Sequence, residues 1–178
     1  MIKVSGSTKR SFLFSGNSHE AIEHYSDMGR IFSYLQNVTL TKEYSTSQFR
    51  MMFRSSELSI YTIQLYCDLE IMIDKNNATI SVRPLNGKKP IKPKSGLHSS
   101  RGMGKFSSTS QFVPDGKFTR VYYHLNLEGE LPKPLAFSLV PDKITNHIAE
   151  NIAKRRIADI ADGFITASLA DFERKKFR

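Results

Sequence analysis

Along this chain the spacing of hydrophobic positions changes period three times. Phe12 and Phe14 alternate within "RSFLFSG", residues 10–16, which predicts a short strand. "NSHEAIEHYSDMGRIFSYLQN" then takes helical spacing, with Ala21, Ile22 and Tyr25 on one face, and Met28, Ile31, Phe32 and Leu35 on another. Asn17 or Ser18 can cap its start and Ser26-Asp27 offers a fresh cap. The pattern therefore predicts two short helices, or one bent helix, over 18–36. From Val38 the period is two. Val38, Leu40 and Tyr44 alternate with threonines and charges, and Phe49, Met51 and Phe53 alternate with Arg50, Met52 and Arg54. The clearest strand is "IYTIQLYCDLEIMID", residues 60–74, with Tyr61, Ile63, Leu65, Cys67, Leu69, Ile71 and Ile73 on one face. "DKNNAT" turns it into a hairpin partner built on Ala78, Ile80 and Val82. "KFSSTSQFV" and "FTRVYYHLNLEGE" supply two more strands across "PDG", the second alternating Val121, Tyr123, Leu125 and Leu127 with polar residues.

Helical spacing returns at the end. In "PDKITNHIAENIAKRRIADIADGFITASLADFERKK", Ile144, Ile148 and Ile152 fall at i, i+4 and i+8, and Ile157, Ile160, Phe164, Ser168 and Phe172 carry the stripe onward. Pro141-Asp142 suits a helix start, and the spacing runs straight through Gly163. About 35 helical residues at about 1.5 Å each make a rod near 50 Å, comparable to a fifteen-residue strand at about 3.3 Å per residue. A strand that long coils or bulges. The economical architecture is a strongly curved antiparallel sheet gripping one long helix, with the N-terminal helices closing an end. The intervening "LPKPLAFSLVP", 131–141, is apolar but punctuated by three prolines, which bar an ordinary helix or central strand. It is expected to carry the chain across apolar surface to the start of the helix.

This order of elements resembles the START/Bet v 1-like (SRPBCC) superfamily, over about residues 10–173. "GELPKPLAFSLVPDKI" followed by "RRIADIADGFI" is also similar to a branch of that superfamily found mainly in photosynthetic organisms. The resemblance implies an α+β helix-grip fold in a single domain, residues 1–178, with a seven-stranded antiparallel sheet around the C-terminal helix. It implies a cavity and not a reaction. Members carry lipids, sterols, hormones, quinones or polyketides, and some are cyclases or hydroxylases; fold alone does not choose among these.

Composition narrows the chemistry. No run approaches the roughly 18 apolar residues of a membrane-spanning helix, and "MIKVSGSTKRSFLFSG" lacks the apolar core of a secretory signal. Cys67 is the lone cysteine, which excludes an internal disulfide and fits a reducing compartment, with cytoplasm as the expected location. Net charge is +9, and residues 86–105, "NGKKPIKPKSGLHSSRGMGK", hold six cations and no acid. Lys88, Lys89, Lys92, Lys94, Arg101 and Lys105 are therefore expected on a long loop. It is either simply solvated, or a mobile gate contacting an anionic head group or membrane surface.

Catalytic patterns are missing. The five histidines show neither HExxH nor a two-histidine-plus-carboxylate cluster, so no metal or other cofactor is expected. Cys67 between Leu65 and Leu69 reads as an inert core thiol. "RGMGKFSS" has the wrong spacing for a phosphate loop and precedes a strand. Phe106 beside basic residues could stack on a base, but core packing explains the alternating aromatics better, and nucleic acid is not expected as a partner. What remains is the interior. Tyr61, Cys67, Ser108, Ser110 and Tyr123 stand among apolar inward positions, and with Ile63, Leu65, Leu125, Ile152, Ile160 and Phe164 they are the expected lining of a site for an apolar or amphipathic small molecule. Two alternatives stand beside it: a cyclase- or hydrolase-type enzyme using the cavity tyrosines, and an interaction module whose core is filled by its own side chains.

Overall fold

The computed structural model describes residues 1–57 and 61–176; Ile60, expected to open the longest strand, and the last two residues of the terminal "RKKFR" lie outside them. Strand β1 (Ile2–Phe14) leads into α1 (Ser18–Ser26) and α2 (Met28–Tyr34). Then follow β2 (Val38–Glu43), β3 (Gln48–Glu57), β4 (Tyr61–Asp74), β5 (Thr79–Pro84), the two-residue β6 (Lys94–Ser95), β7 (Ser99–Asp115) and β8 (Phe118–Leu131). A 3-10 turn at Leu135–Phe137 precedes α3 (Asp142–Lys176), which runs uninterrupted through Gly163. Seven strands form one sheet in the order β1-β8-β7-β5-β4-β3-β2, with β6 attached to β7. This is the curved sheet around a C-terminal helix that the sequence pattern implies.

The local signals explain most boundaries. Asn17 accepts from the Glu20 amide while the Glu20 carboxylate accepts from the Asn17 amide, a capping box that starts α1. Asp27 ends α1 and caps α2 through the Arg30 amide. β1 begins eight residues before the expected strand. Its inward positions include Gly6, Thr8 and Arg10, small or polar residues that hide the alternation from a hydrophobic reading.

The basic segment departs from expectation. Instead of one loop over 86–105, Lys94 sits on β6, and Arg101 and Lys105 sit on β7. β5 stops at Pro84, which has no amide to donate, and beyond it β4 pairs directly and in parallel with β7, Thr62 opposite Ser99 through Cys67 opposite Gly104. The remaining loop folds over the sheet's outer face. The Arg50 guanidinium donates to the Lys89 carbonyl at 2.7 Å and grips Asp68 through two bonds of 2.7 and 2.6 Å, and the Leu85 amide donates to the Asp68 carbonyl.

α3 is fixed at both flanks. On β1, a Cβ added at Gly6 would stand 3.1 Å from the Ala153 backbone, so helix and strand meet with no side chain between them. Further along, Arg10 forms a bidentate pair with Asp162 at 2.6 and 3.0 Å. The C-terminal half packs on α1 and α2: Tyr25 Oη lies 2.9 Å from Ser168 Oγ, Tyr34 donates to Asp171, and the rings of Phe14, His24 and Phe172 meet in tilted and edge-on contacts. His24 is 4% exposed; its Nε2 meets the Ser168 carbonyl at 3.1 Å and its Nδ1 faces Arg30. Nε2 therefore carries the proton and the ring is neutral. Burial, then the Arg30 charge, lowers its pKa, and the Ser168 carbonyl and Asp171 only partly oppose them.

Two measurements follow from this packing. Gly6→Val should lift α3 from β1 and lower stability by about 1–3 kcal/mol, read as a reduced denaturant midpoint with unchanged m-value. His24 titrates near 6.5 when unfolded and lower when folded, so its contribution is intact above pH ~6.5 and is lost as pH falls below it. Between pH ~7.5 and ~5 the wild type should lose stability relative to His24→Gln, with a limiting slope of about 1.4 kcal/mol per pH unit. Parallel pH profiles for the two proteins would contradict a buried neutral imidazole.

Candidate functional site

Between sheet and helix the interior is not continuous. One cavity of about 180 Å³ lies beneath the N-terminal half of α3, lined by Ile2 and Val4 of β1, Phe53 of β3, Ile63 and Leu65 of β4 and Leu127 of β8, with Ile152 and Ile160 above. A second, of about 60 Å³, lies toward α1 and α2, with Tyr25, Leu69, Phe106 and Tyr123 among its walls. Strand alternation shows the division. Passing inward along β4, Leu65 faces the first cavity, Cys67 neither and Leu69 the second; along β8 the same holds for Leu127, Leu125 and Tyr123. Cys67 is 1% and Leu125 0% exposed. They are packed core between the chambers.

The expected lining residues are thus distributed. Tyr61, Ile63, Leu65, Ile152 and Ile160 meet in the larger cavity, whereas Ser108, Ser110, Tyr123 and Phe164 meet in the smaller one. Cys67 and Leu125 line neither, correcting their assignment as ligand contacts; burial pushes the Cys67 thiol up to about 12, so it stays protonated. The basic residues do not gather either. Lys88 and Lys105 border a groove of about 710 Å³ on the outer face of the sheet, beside Glu128 and Glu130. Lys92 and Lys94 are exposed elsewhere, and Arg101 has its Nε buried with no partner among the described residues.

Two features of the larger cavity had no sequence signal. The first is its outer wall. Pro134, Phe137 and Val140 of the proline-punctuated connection line it, with the Phe137 ring edge-on to Tyr61 at 6.0 Å between centroids. Lys133 holds that connection closed by donating to the Val140 carbonyl and pairing with Asp142 at 2.9 Å. The second is an ion pair. Arg156 of α3 reaches Glu57 at the end of β3 through two bonds of 2.9 and 3.0 Å, and Ser55 donates to the same carboxylate. Burial works to raise the Glu57 carboxyl, but Arg156 and Ser55 outweigh it and hold it below its usual value. The pair separates Glu57 from Arg156 by ninety-nine positions in sequence, which no local pattern encodes.

Tyr61, which lines this cavity, carries a buried polar atom, Oη, with no geometric partner among the described residues. Burial raises its pKa, and the neighbouring Ser100 hydroxyl, which donates to the Pro132 carbonyl, opposes that shift without cancelling it. Among the described residues no charged group acts on the Tyr61 phenol, and Tyr123 feels only Tyr25 besides its burial. Among the described residues no three His, Cys, Asp or Glu side chains converge as metal ligands would. The cavity can enclose apolar matter, with Thr145 and the Glu57–Arg156 pair as polar elements of its wall.

No family model matches this sequence, and no curated protein matches it. Solved structures are similar over almost the whole chain. They include the Zhui aromatase/cyclase of Streptomyces sp. R1128 at 15% identity and TM-score 0.56, covering 96% of this chain and 95% of that one. A START superfamily protein of Mycobacterium smegmatis matches at 12% identity and TM-score 0.52, covering 94% and 97%. A conserved protein of Geobacillus kaustophilus matches at 9% and 0.57, covering 96% of each chain. At such identities the likeness shows the fold: a START-like helix grip.

An unpartnered buried hydroxyl carries a desolvation cost of about 1 kcal/mol or more. Tyr61→Phe should therefore leave thermal stability unchanged or raise it by about 1 kcal/mol. A clear loss in calorimetry would show that the hydroxyl has a structural partner.

Proposed function

We propose that this chain, read as a member of the START/Bet v 1-like superfamily, binds an apolar or amphipathic small molecule between sheet and C-terminal helix, as carrier or sensor rather than as an enzyme. The observation that carries this is the larger cavity, whose walls are mainly apolar, with Tyr61, Thr145 and the Glu57–Arg156 pair as their polar members. A lipid, quinone, pigment or isoprenoid combines a large apolar body with few polar atoms, as such a lining requires. The photosynthetic branch rests on sequence resemblance, and a cytoplasmic setting on the lone cysteine. No helix among the described residues is long and apolar enough to cross a membrane.

Size sets the affinity. A chamber of about 180 Å³ is close to one known to admit a benzene-sized ring, at about 150 Å³. Burying about 200 Å² of apolar surface contributes roughly 5 kcal/mol, which association costs largely consume. A useful carrier must bury about twice that area, for roughly 10 kcal/mol and micromolar-to-millimolar binding. The guest must therefore extend past the enclosed chamber, and Ile148, which both lines the cavity and is 47% exposed, marks the way out. The enzymatic alternative requires a phenol beside a charged partner, and neither Tyr61 nor Tyr123 has one among the described residues.

The test is native mass spectrometry and solvent extraction of gently purified protein, with titration of an apolar fluorescent probe. Wild type should bind the probe, and Ala149→Trp, which fills the chamber from α3, should weaken it at least about ten-fold, a change of about 1.4 kcal/mol, without lowering the melting temperature. Equal binding by both proteins, or no binding across lipid, quinone and pigment panels, would sink the proposal.

A further inference from the structure

The connection from β8 to α3 is apolar on both of its sides. Pro134, Phe137 and Val140 face the cavity, but Leu135 is 60% exposed and Leu139 97% exposed. The first turns of α3 prolong this outer row with Ile144 at 52% and Ile148 at 47%, one helical turn apart. Both were expected to pack on the sheet with Ile152; instead Ile144 stands outside, and Ile148 sits at the cavity's edge, half in water. Leu97, 59% exposed, belongs to the same face, because the Leu135 amide donates to the adjacent Gly96 carbonyl at 3.3 Å. Single exposed leucines are ordinary, but five large aliphatic residues around one cavity mouth mark an interaction surface.

We propose that this face docks on an anionic lipid surface, with Leu135 and Leu139 entering the bilayer interface and the cavity mouth turned toward the lipid. Charge selects this occupant. Exposed Lys92 and Lys94 precede Leu97, exposed Lys143 precedes Ile144, and the sole acid between residues 131 and 149, Asp142, is matched by Lys133. An apolar tip ringed by lysines suits an interface whose head groups are negative and whose acyl chains lie just below. A second copy of the chain is disfavoured, since a two-fold contact on this face would bring like-charged lysine rims together. Nothing here depends on the cavity's guest.

Vesicle co-sedimentation tests it, using phosphatidylcholine vesicles with and without about 30% phosphatidylserine. Wild type should sediment with the anionic vesicles and far less with the neutral ones. Leu135→Ser combined with Leu139→Ser should lower partitioning at least about ten-fold, with an unchanged melting temperature because both side chains are already in water. Lys92→Glu with Lys94→Glu should lower it as well. Ala149→Trp should bind vesicles like wild type, so failure of the ligand proposal leaves this one standing. Wild type that ignores both vesicles, a leucine variant that sediments normally, or a wild-type dimer dissolved by Leu139→Ser would each overturn it, the last by revealing a protein interface.

Discussion

The close seat of α3 on β1 is the contact on which this architecture depends. At Gly6 and Ala153 helix and strand meet backbone to backbone. A rod pressed against one edge of a curved surface must stand off from the surface's opposite side. The gap opens over β3 and β4, where the larger cavity lies. Arg156 and Glu57 span that gap as a strut, with the carboxylate buried and the guanidinium partly in water. Breaking such a pair on one side leaves a buried charge without compensation. The cavity is thus held open by a tight contact on one flank and a charged one on the other, rather than being a packing defect.

The same geometry decides what the interior can recognise. Had the sheet's inward face been lined by large side chains throughout, the core would have closed. It does close midway, where Cys67, Leu125, Ile157 and Ala161 are almost wholly inaccessible. On one side of that plug, aromatic rings from α1, β7, β8 and α3 fill most of the space. On the other, Ala149 and Ala153 project little from the helix and room remains. Mainly apolar walls favour apolar matter and select by shape more than by hydrogen bonding. The opposed charges in the wall, Glu57 and Arg156, are bonded to each other, and among the described residues neither shifts the Tyr61 phenol toward acid or base work.

Much of the fold was legible because local signals and global pattern agree here. Asn17 and Asp27 cap the short helices as their side chains suggest, and period-two alternation locates β3, β4 and β8. The first half of β1 was hidden by Gly6, Thr8 and Arg10, whose inward positions are dictated by the helix above and not by hydrophobicity. The start of β7 was hidden by glycines: a Cβ at Gly104 would come within 2.8 Å of Leu65 and of the Glu128 carbonyl, so the strand is built for close approach. At the site, alternation identified which residues face inward but not which share a chamber. That depends on where the helix touches down, and Gly6 beneath Ala153 has no signature in one dimension. The Arg156–Glu57 pair was invisible for the same reason.

The proline-punctuated connection joins these threads. A segment that must wall a cavity needs apolar side chains inward, while prolines keep it from forming a helix or a strand that would fix every side chain to one face. Pro134, fully buried, and the 3-10 turn after it send Phe137 inward and leave Leu135 outward. Lys133 ties the far end to Val140 and Asp142, while the Leu135 bond to Gly96 and the Ser100 bond to Pro132 fasten the near end to the sheet. Keeping Leu139 almost wholly in water serves no packing purpose in the isolated chain. The cost becomes intelligible if the outer side of the same wall meets a second apolar phase, because then one short segment has apolar surroundings on both of its sides.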